Sequence, residues 1–411
     1  MSLFKRVIDS IKNSIRSLPP AIWTLNIGMT INVIAGSFLW PMNALYMETE
    51  LGKTSYVIGL VLFIYAGSTA FGNWIGGALF DKLGGFRSSI TGIGITFVAL
   101  IGLNINHGWP FYPIFLLFIG LGQGIVFPSM NAMVGATWPE GGRRAYNAGY
   151  VLQNVGVAIG AFLGGMTAEY LSFDYSFLGF LGFYVIFLII VIFKFRKIQP
   201  SKNFHKIEKE ITHLGKGDNK NLYALLMVGI AYLLSWVGYV QWQNTIPVHV
   251  KSMGMSMDQY ASFWVLNGAF IVIMQPFLSR ILRLFHLSNK KLIITGLFIF
   301  MVSHFITGNV QTYNGYLLSM CILTTAEMLI WPTVPTIANK LAPKGKRGMF
   351  QGITAMFGTG GRALGPMFGL IIADAFDIRT LFMGIIGLMA IACVFVYYHD
   401  YWINKTVEIS V

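Results

Sequence analysis

Two charges stand in apolar surroundings near the C-terminus. Glu327 sits inside LTTAEMLIWPTVPT, residues 323–336, and Arg362 inside GRALGPMFG, residues 361–369. A charge at the centre of a bilayer costs at least ~2.5 kcal/mol on insertion scales, so such residues are rare and tend to be functional. Glu327 lies 13 residues before Lys340, about 20 Å along a helix rising ~1.5 Å per residue. Arg362 lies 15 residues after Arg347, at a similar depth of about 22 Å. Two chemistries fit such a pair. Burial favours a neutral acid and a nearby guanidinium favours the carboxylate, so making and breaking the pair loads and releases a proton. Alternatively the charges neutralise each other and dock two helices, a use that adds little stability over apolar packing.

The elements that carry these residues follow from composition. The chain is 55% hydrophobic and 11% charged, against about 25% charged in soluble domains. Windows of about 20 apolar residues, enough to cross ~30 Å of hydrocarbon, recur along the whole length. They predict twelve spans: 21–46, 56–79, 89–106, 111–136, 146–168, 174–195, 222–246, 259–282, 292–309, 314–337, 349–373 and 379–399. The fold class expected is an all-α polytopic membrane protein of two six-helix bundles, 21–195 and 222–400. A polar cytoplasmic linker, 196–221, joins them, and 401–411 forms a cytoplasmic tail. Residues 1–20 read as an amphipathic helix on the inner leaflet, with Lys5, Arg6, Lys12 and Arg16 along it. No small-residue cleavage site follows, so a removable signal peptide is not expected. Cys321 and Cys393 both fall in apolar spans and give neither a disulfide framework nor metal-ligand spacing.

The formal net charge of +13 has a location. With the N-terminus cytoplasmic, all of the 29 Lys and Arg except Lys53, Lys251, Arg379 and Arg362 fall on the cytoplasmic side of this map. That asymmetry is the positive-inside pattern, and it accounts for the charge without a nucleic-acid partner. Both termini are expected in the cytoplasm, at the cell membrane.

The halves repeat. QGIVFPSMNAMVGATWPEGGRR, from Gln123 to Arg144, matches EMLIWPTVPTIANKLAPKGKRG, from Glu327 to Gly348, when shifted by about 204 residues. Pro128 falls on Pro332, Pro139 on Pro343 and Arg143 on Arg347. Duplicated six-helix halves with a substrate site near the midplane are a secondary-transporter design. The turn after span 2, GGALFDKLGGFRS, resembles the signature G-x-L-x-D-R/K-x-G-R-R of the major facilitator superfamily. Gly77, Asp81, Lys82, Gly84 and Arg87 stand at or beside its main positions. Over essentially its full length the chain resembles that superfamily, which implies the two-bundle fold and transport by alternating access. The glycines permit a tight turn, and Asp81 can cap or pair with neighbouring helix ends. The resemblance gives this turn a gating role.

Span 5 carries GVAIGAFLGG, similar to the antiporter motif G-x-x-x-G-P-x-x-G-G with Ala161 in place of the proline. Gly156, Gly160, Gly164 and Gly165 are read as one helical face that admits a close neighbour, and the motif implies export by antiport. The chain also resembles the drug/proton antiporter group, and within it the lactococcal multidrug exporter type, through WQNTIPVHV (242–250) and AEMLIWPTVPT (326–336). It departs from the group at Gly120, where an arginine is usual. Acidic residues of the lactococcal type are replaced by Gly149 and Gln243, leaving Glu327.

Candidates for lining a substrate cavity are uncharged: Asn32, Trp40 and Asn43 on span 1, Gln123 and Asn131 on span 4, Trp236, Tyr239, Gln241, Trp242, Gln243 and Asn244 on span 7, Asn267 on span 8 and Trp331 on span 10. Large apolar walls with a few amides suit bulky amphipathic ligands, and aromatic faces hold cations. The same residue types also build interfacial belts and helix–helix hydrogen bonds. His249 and His304 are read as structural. No P-loop, H-E-x-x-H or nucleophile signature occurs, so no enzyme activity, cofactor or metal is expected and an ion gradient supplies the energy. The leading expectation is proton-coupled export of amphipathic small molecules by a monomer in the lipid bilayer. The alternative is transport of a defined metabolite, sugar, peptide or lipid, with Arg362 binding an anionic group.

Overall fold

The computed structural model describes residues 18–39, 42–198, 218–285 and 287–402. The expected N-terminal amphipathic segment before residue 18, nearly all of the linker, the tail from 403 and Trp40 lie outside these residues. All secondary structure described is helical: α1 Pro20–Leu39, α2 Asn43–Thr49, α3 Ser55–Leu83, α4 Gly85–Ile105, α5 Phe111–Thr137, α6 Arg143–Tyr170, α7 Phe173–Lys194, α8 Asp218–Tyr239, α9 Gln241–Ser252, α10 Met257–Phe285, α11 Asn289–Asn309, α12 Tyr313–Ile330, α13 Thr333–Leu341, α14 Arg347–Ala375 and α15 Ile378–Tyr398, with short 3-10 turns between some of them. Each of the twelve expected spans coincides with one helix or with a pair. Among the described residues, eleven stretches are long and apolar enough to cross a bilayer. The remaining helix, α14, has 29 residues but carries Arg362 in a glycine-rich middle.

Three expected spans are each two helices. Span 1 gives α1 and α2, span 7 gives α8 and α9 with Val240 between, and span 10 gives α12 and α13 around Trp331 and Pro332. Pro332 explains the last of these: it has no N–H, and its ring clashes with the carbonyl four residues back. Its repeat partner Pro128 stays inside the continuous α5. The turn after span 2 is also shorter than the motif suggested. Asp81 and Lys82 belong to the last turn of α3, and Gly84, with φ +79°, alone makes the corner into α4.

The chain forms two compact units. Among the described residues, one comprises 19–198 with Ala338–Thr359; the other comprises 218–337 and 360–402. In the first, α5 packs against α3 and α4, and α1 against α6 and α7. In the second, α11 packs on α12 and α15, and α8 on α15. Lipid tails are as apolar as leucine, so helices in a bilayer associate through close van der Waals contact, which small residues permit. The α1–α6 seam shows how. A methyl group on Gly160 would stand 2.3 Å from the Ile34 carbonyl oxygen, and one on Gly164 would stand 2.5 Å from that of Phe38. Gly156 continues the row at 3.0 Å from the Thr30 carbonyl, but Gly165 meets only the end of Met42 at 3.9 Å. The expected four-glycine face is therefore three glycines. Consecutive helix residues lie ~100° apart, so Gly164 and Gly165 do not share a face.

Candidate functional site

Glu327 lies on the last turn of α12, four residues before the Trp331–Pro332 break, and is 2% exposed. A buried carboxylate must be met by donors. The Asn267 amide on α10 donates to Glu327 Oε2 at 3.0 Å and to Thr324 Oγ1 at 2.9 Å. The Tyr239 hydroxyl, at the end of α8, hydrogen-bonds to the same carboxylate. Asn267 and Tyr239 are themselves 4% and 5% exposed, so both hold fixed positions around the acid.

Beside this acid stands a box of rings. The Trp331 centroid lies 4.7 Å from Trp236, 5.4 Å from Tyr232, 5.5 Å from Tyr239 and 5.7 Å from Phe300. Trp264 extends it at 6.1 Å from Tyr239. Tyr232, Trp236 and Tyr239 follow one another at i, i+4 and i+7 along α8, which puts all three on one face. Arg362, on α14, lays its guanidinium over Trp236 at 4.9 Å. Its exposure contrasts with that of the acid: Arg362 is exposed, Glu327 buried. Its position is set by its neighbour Gly361, where a methyl group would stand 2.4 Å from the Leu233 carbonyl. The approach to α14 continues into α9 through Gln241, whose amide donates to the Gly365 carbonyl at 2.8 Å.

The remaining candidates scatter. Trp242 is fully buried in a separate aromatic cluster with Phe263 and Tyr316. Asn43 is 2% exposed and accepts from the Tyr112 hydroxyl at 2.7 Å. Both are packing residues, so neither lines a cavity as expected; an aromatic or amide spaced along an apolar span looks the same in sequence whichever way it faces. Gln123 accepts from the Tyr65 hydroxyl at 3.3 Å, and Asn131 offers its backbone carbonyl to Tyr146 at 3.2 Å. Asn32 and Gln243 are half-buried and stand apart from the box in the contacts described. At Gly120, where the group's arginine is usual, a methyl group would already meet Thr69 Oγ1 at 2.8 Å. Tyr232 was missed by sequence reasoning, although its spacing to Trp236 and Tyr239 was the available signal.

The glycine-and-aspartate turn has its own geometry. Asp81 accepts from the backbone N–H of Gly348 at 2.7 Å and of Met349 at 2.8 Å, the opening amides of α14. It thereby caps a helix other than its own, at the end where partial positive charge collects. Gly77 makes the approach possible, since a methyl group there would stand 2.4 Å from the Gly348 carbonyl. Arg347 secures the same corner by donating to the Gly135 carbonyl at 3.1 Å. Lys82 and Arg87 are exposed and Gly84 forms the corner.

The Major Facilitator Superfamily profile matches residues 25–366 and 286–405. The chain is a major facilitator superfamily transporter. It is 42% identical over 391 residues, 95% of this chain and 98% of the relative, to the uncharacterized MFS-type transporter YttB of Bacillus subtilis (strain 168). It is 24% identical over 353 residues, 82% of this chain and 80% of the relative, to the multidrug resistance protein MdtH of Baumannia cicadellinicola subsp. Homalodisca coagulata. Among solved structures it resembles the human organic anion transporter MFSD10 (TETRAN), with TM-score 0.73 at 14% identity over 92% of this chain and all of that one; this likeness concerns the fold. As a member of the superfamily the chain is a multi-pass membrane transporter and not an enzyme.

Proposed function

We propose that this transporter exports amphipathic small molecules in exchange for protons, by alternating access, as a monomer in the cell membrane with both termini cytoplasmic. The observation that carries the proposal is Glu327: a carboxylate 2% exposed, held by Asn267 and Tyr239 at the wall of an aromatic box. A side chain that moves protons needs two states of similar cost, and here burial opposes donors and a nearby guanidinium. The rings offer wide apolar faces with few polar demands, as suits bulky ligands of varied outline. The name of the Baumannia relative, a multidrug resistance protein, agrees with this reading, as does the sequence resemblance to the drug/proton antiporter group and its lactococcal exporter type. Asp81 serves in it as a latch between the α3 end and the start of α14.

The test is transport in proteoliposomes with a pH dye inside. Glu327→Gln, nearly isosteric, should preserve folding and downhill flux while abolishing accumulation against a gradient and substrate-dependent proton movement. A variant that stays active and fully proton-coupled would remove Glu327 from the mechanism.

A further inference from the structure

The turn between α4 and α5 carries His107, which takes no part in the aromatic box. It stands at the far end of α4 from the Gly84 corner, about 30 Å along a 21-residue helix. There it joins three elements of the first unit. The Tyr46 hydroxyl, on α2, meets ring Nδ1 at 2.5 Å and donates to the His107 backbone carbonyl at 3.0 Å. On the other side of the ring, Nε2 lies 3.1 Å from Asp174 Oδ1, in the first turn of α7. Phe177 closes the cluster, its centroid 5.2 Å from the imidazole and 5.1 Å from Tyr46.

The hydrogens available decide the state of this ring. A carbonyl and a carboxylate only accept, and a tyrosine hydroxyl has one proton to give. With that proton on the His107 carbonyl, the Nδ1 contact needs a hydrogen on Nδ1, and the Asp174 contact needs one on Nε2. Both nitrogens donate together only in the imidazolium. The neutral ring is one hydrogen short. Its remaining N–H stays with the carboxylate, the stronger acceptor, so the loss falls on Tyr46, whose single proton cannot serve both Nδ1 and the carbonyl. We propose that His107 is an acid-sensitive clasp: protonated, it fastens α2, the end of the first span, to the α4–α5 turn and α7, and deprotonated it holds α2 by one bond fewer. Histidine changes charge between pH 5 and 8, and this one is half-buried, so protons from bulk water reach it. Among the described residues, the charged groups around it are Asp174 on α7, Glu50 after α2, which lines the same cavity, and Lys53, whose ammonium lies over Trp109 at 4.4 Å. From α5 comes Tyr112, bonded to Asn43 of α2 at 2.7 Å, and from the α6 end come Ala168 and Leu171. Neither Tyr112 nor Asn43 titrates in this range, so α2 keeps that anchor throughout. On the topology proposed above this end faces outward, the side from which protons enter; the clasp itself does not depend on that orientation.

The test is hydrogen exchange by mass spectrometry on the purified full chain in phosphatidylcholine nanodiscs, which put both faces at one pH. Peptides covering 43–53 are followed at pH 5, 6, 7 and 8 and divided by the rates of the same peptides free in solution, which removes the intrinsic pH dependence. A contact made by the protonated ring stabilises at acid pH and is lost as the pH rises. Protection of α2 should therefore fall by roughly three- to tenfold from pH 5 to pH 8, the weight of one hydrogen bond, while peptides from the middle of α4 hold constant. His107→Gln and Tyr46→Phe should each flatten the profile. A flat or rising wild-type profile overturns the proposal. So does a fall that Tyr46→Phe leaves intact, since the Asp174 pair alone would then account for it. The wild-type profile needs no variant, so a misfolded substitution does not hide the answer. Transport plays no part in the readout, so failure of proton-coupled export registers separately.

Discussion

Replacing Asp81 by alanine removes both acceptors that hold the opening amides of α14. The bonds are 2.7 and 2.8 Å long, to Gly348 and Met349. Hydrogen bonds to a charged group contribute ~1.5–3 kcal/mol each. Asp81 is half-buried, so the lower figure applies, and the two together stabilise the α3–α14 junction by about 3 kcal/mol. At ~1.4 kcal/mol per factor of ten, opening of the junction becomes about 100-fold more frequent. Asparagine keeps one neutral acceptor but loses the charge facing the helix N-terminus, and the same arithmetic gives about tenfold. Hydrogen exchange followed by mass spectrometry reads this directly in peptides spanning 346–352. Exchange there should accelerate in the order wild type, Asp81→Asn, Asp81→Ala, while peptides from the middle of α11 stay unchanged. Transport should slow in both variants with substrate affinity held within about threefold, the pattern of a residue that acts on conformation rather than on ligand. Equal exchange at Gly348 and Met349 in all three proteins would falsify the capping argument. A large affinity loss with normal turnover would place Asp81 at the substrate instead.

Four further outcomes are expected. Gly160→Ala pushes a methyl group to 2.3 Å from the Ile34 carbonyl and should cost ~1–3 kcal/mol of packing, lowering the melting temperature in detergent, whereas Gly165→Ala should leave it unchanged. Asn267→Ala removes a donor from Glu327 and should impair proton coupling more than downhill flux, measured in the same proteoliposomes; equal loss of both would make Asn267 merely structural. Glu327→Gln and Arg362→Ala combined should destabilise less than the sum of the singles if the charges are coupled, and additive melting shifts would give them separate roles. Asp377 caps α15 by accepting from the Thr380 hydroxyl and from Thr380 N–H, and these two bonds, the hydroxyl's first, hold its carboxyl below the ordinary value. A depressed folded-state value means that its stabilisation is present above the unfolded value, ~3.9, and is lost as the pH falls through the folded one. Protection of the Thr380 amide, ratioed to Asp377→Asn, should therefore fall only below about pH 4.

The twelve spans were legible because hydrocarbon imposes one demand on every crossing segment, about 20 apolar residues with all backbone groups paired within a helix. That demand says nothing about what happens inside a span. The α8–α9 break falls at Val240 with no proline beside it, so no local signal marks it, whereas Pro332 does mark the break between α12 and α13. The same limit governs side chains. Asn43 and Asn267 are both amides in apolar spans, yet one accepts from Tyr112 in packing and the other donates to Glu327.

What separates those two amides is the company that tertiary packing gives them, and part of that company was written in helical spacing. Tyr232, Trp236 and Tyr239 repeat at i, i+4 and i+7, so any helix there must present three rings on one side. That side has to meet something of matching surface, and Trp331, next to the break after Glu327, meets it. The charges were legible as a pair of similar depth but not in their inequality. Depth along a helix measures distance from the membrane surface, while exposure depends on which way a residue turns about the helix axis. Glu327 turns inward to Asn267 and Tyr239; Arg362 turns outward over Trp236.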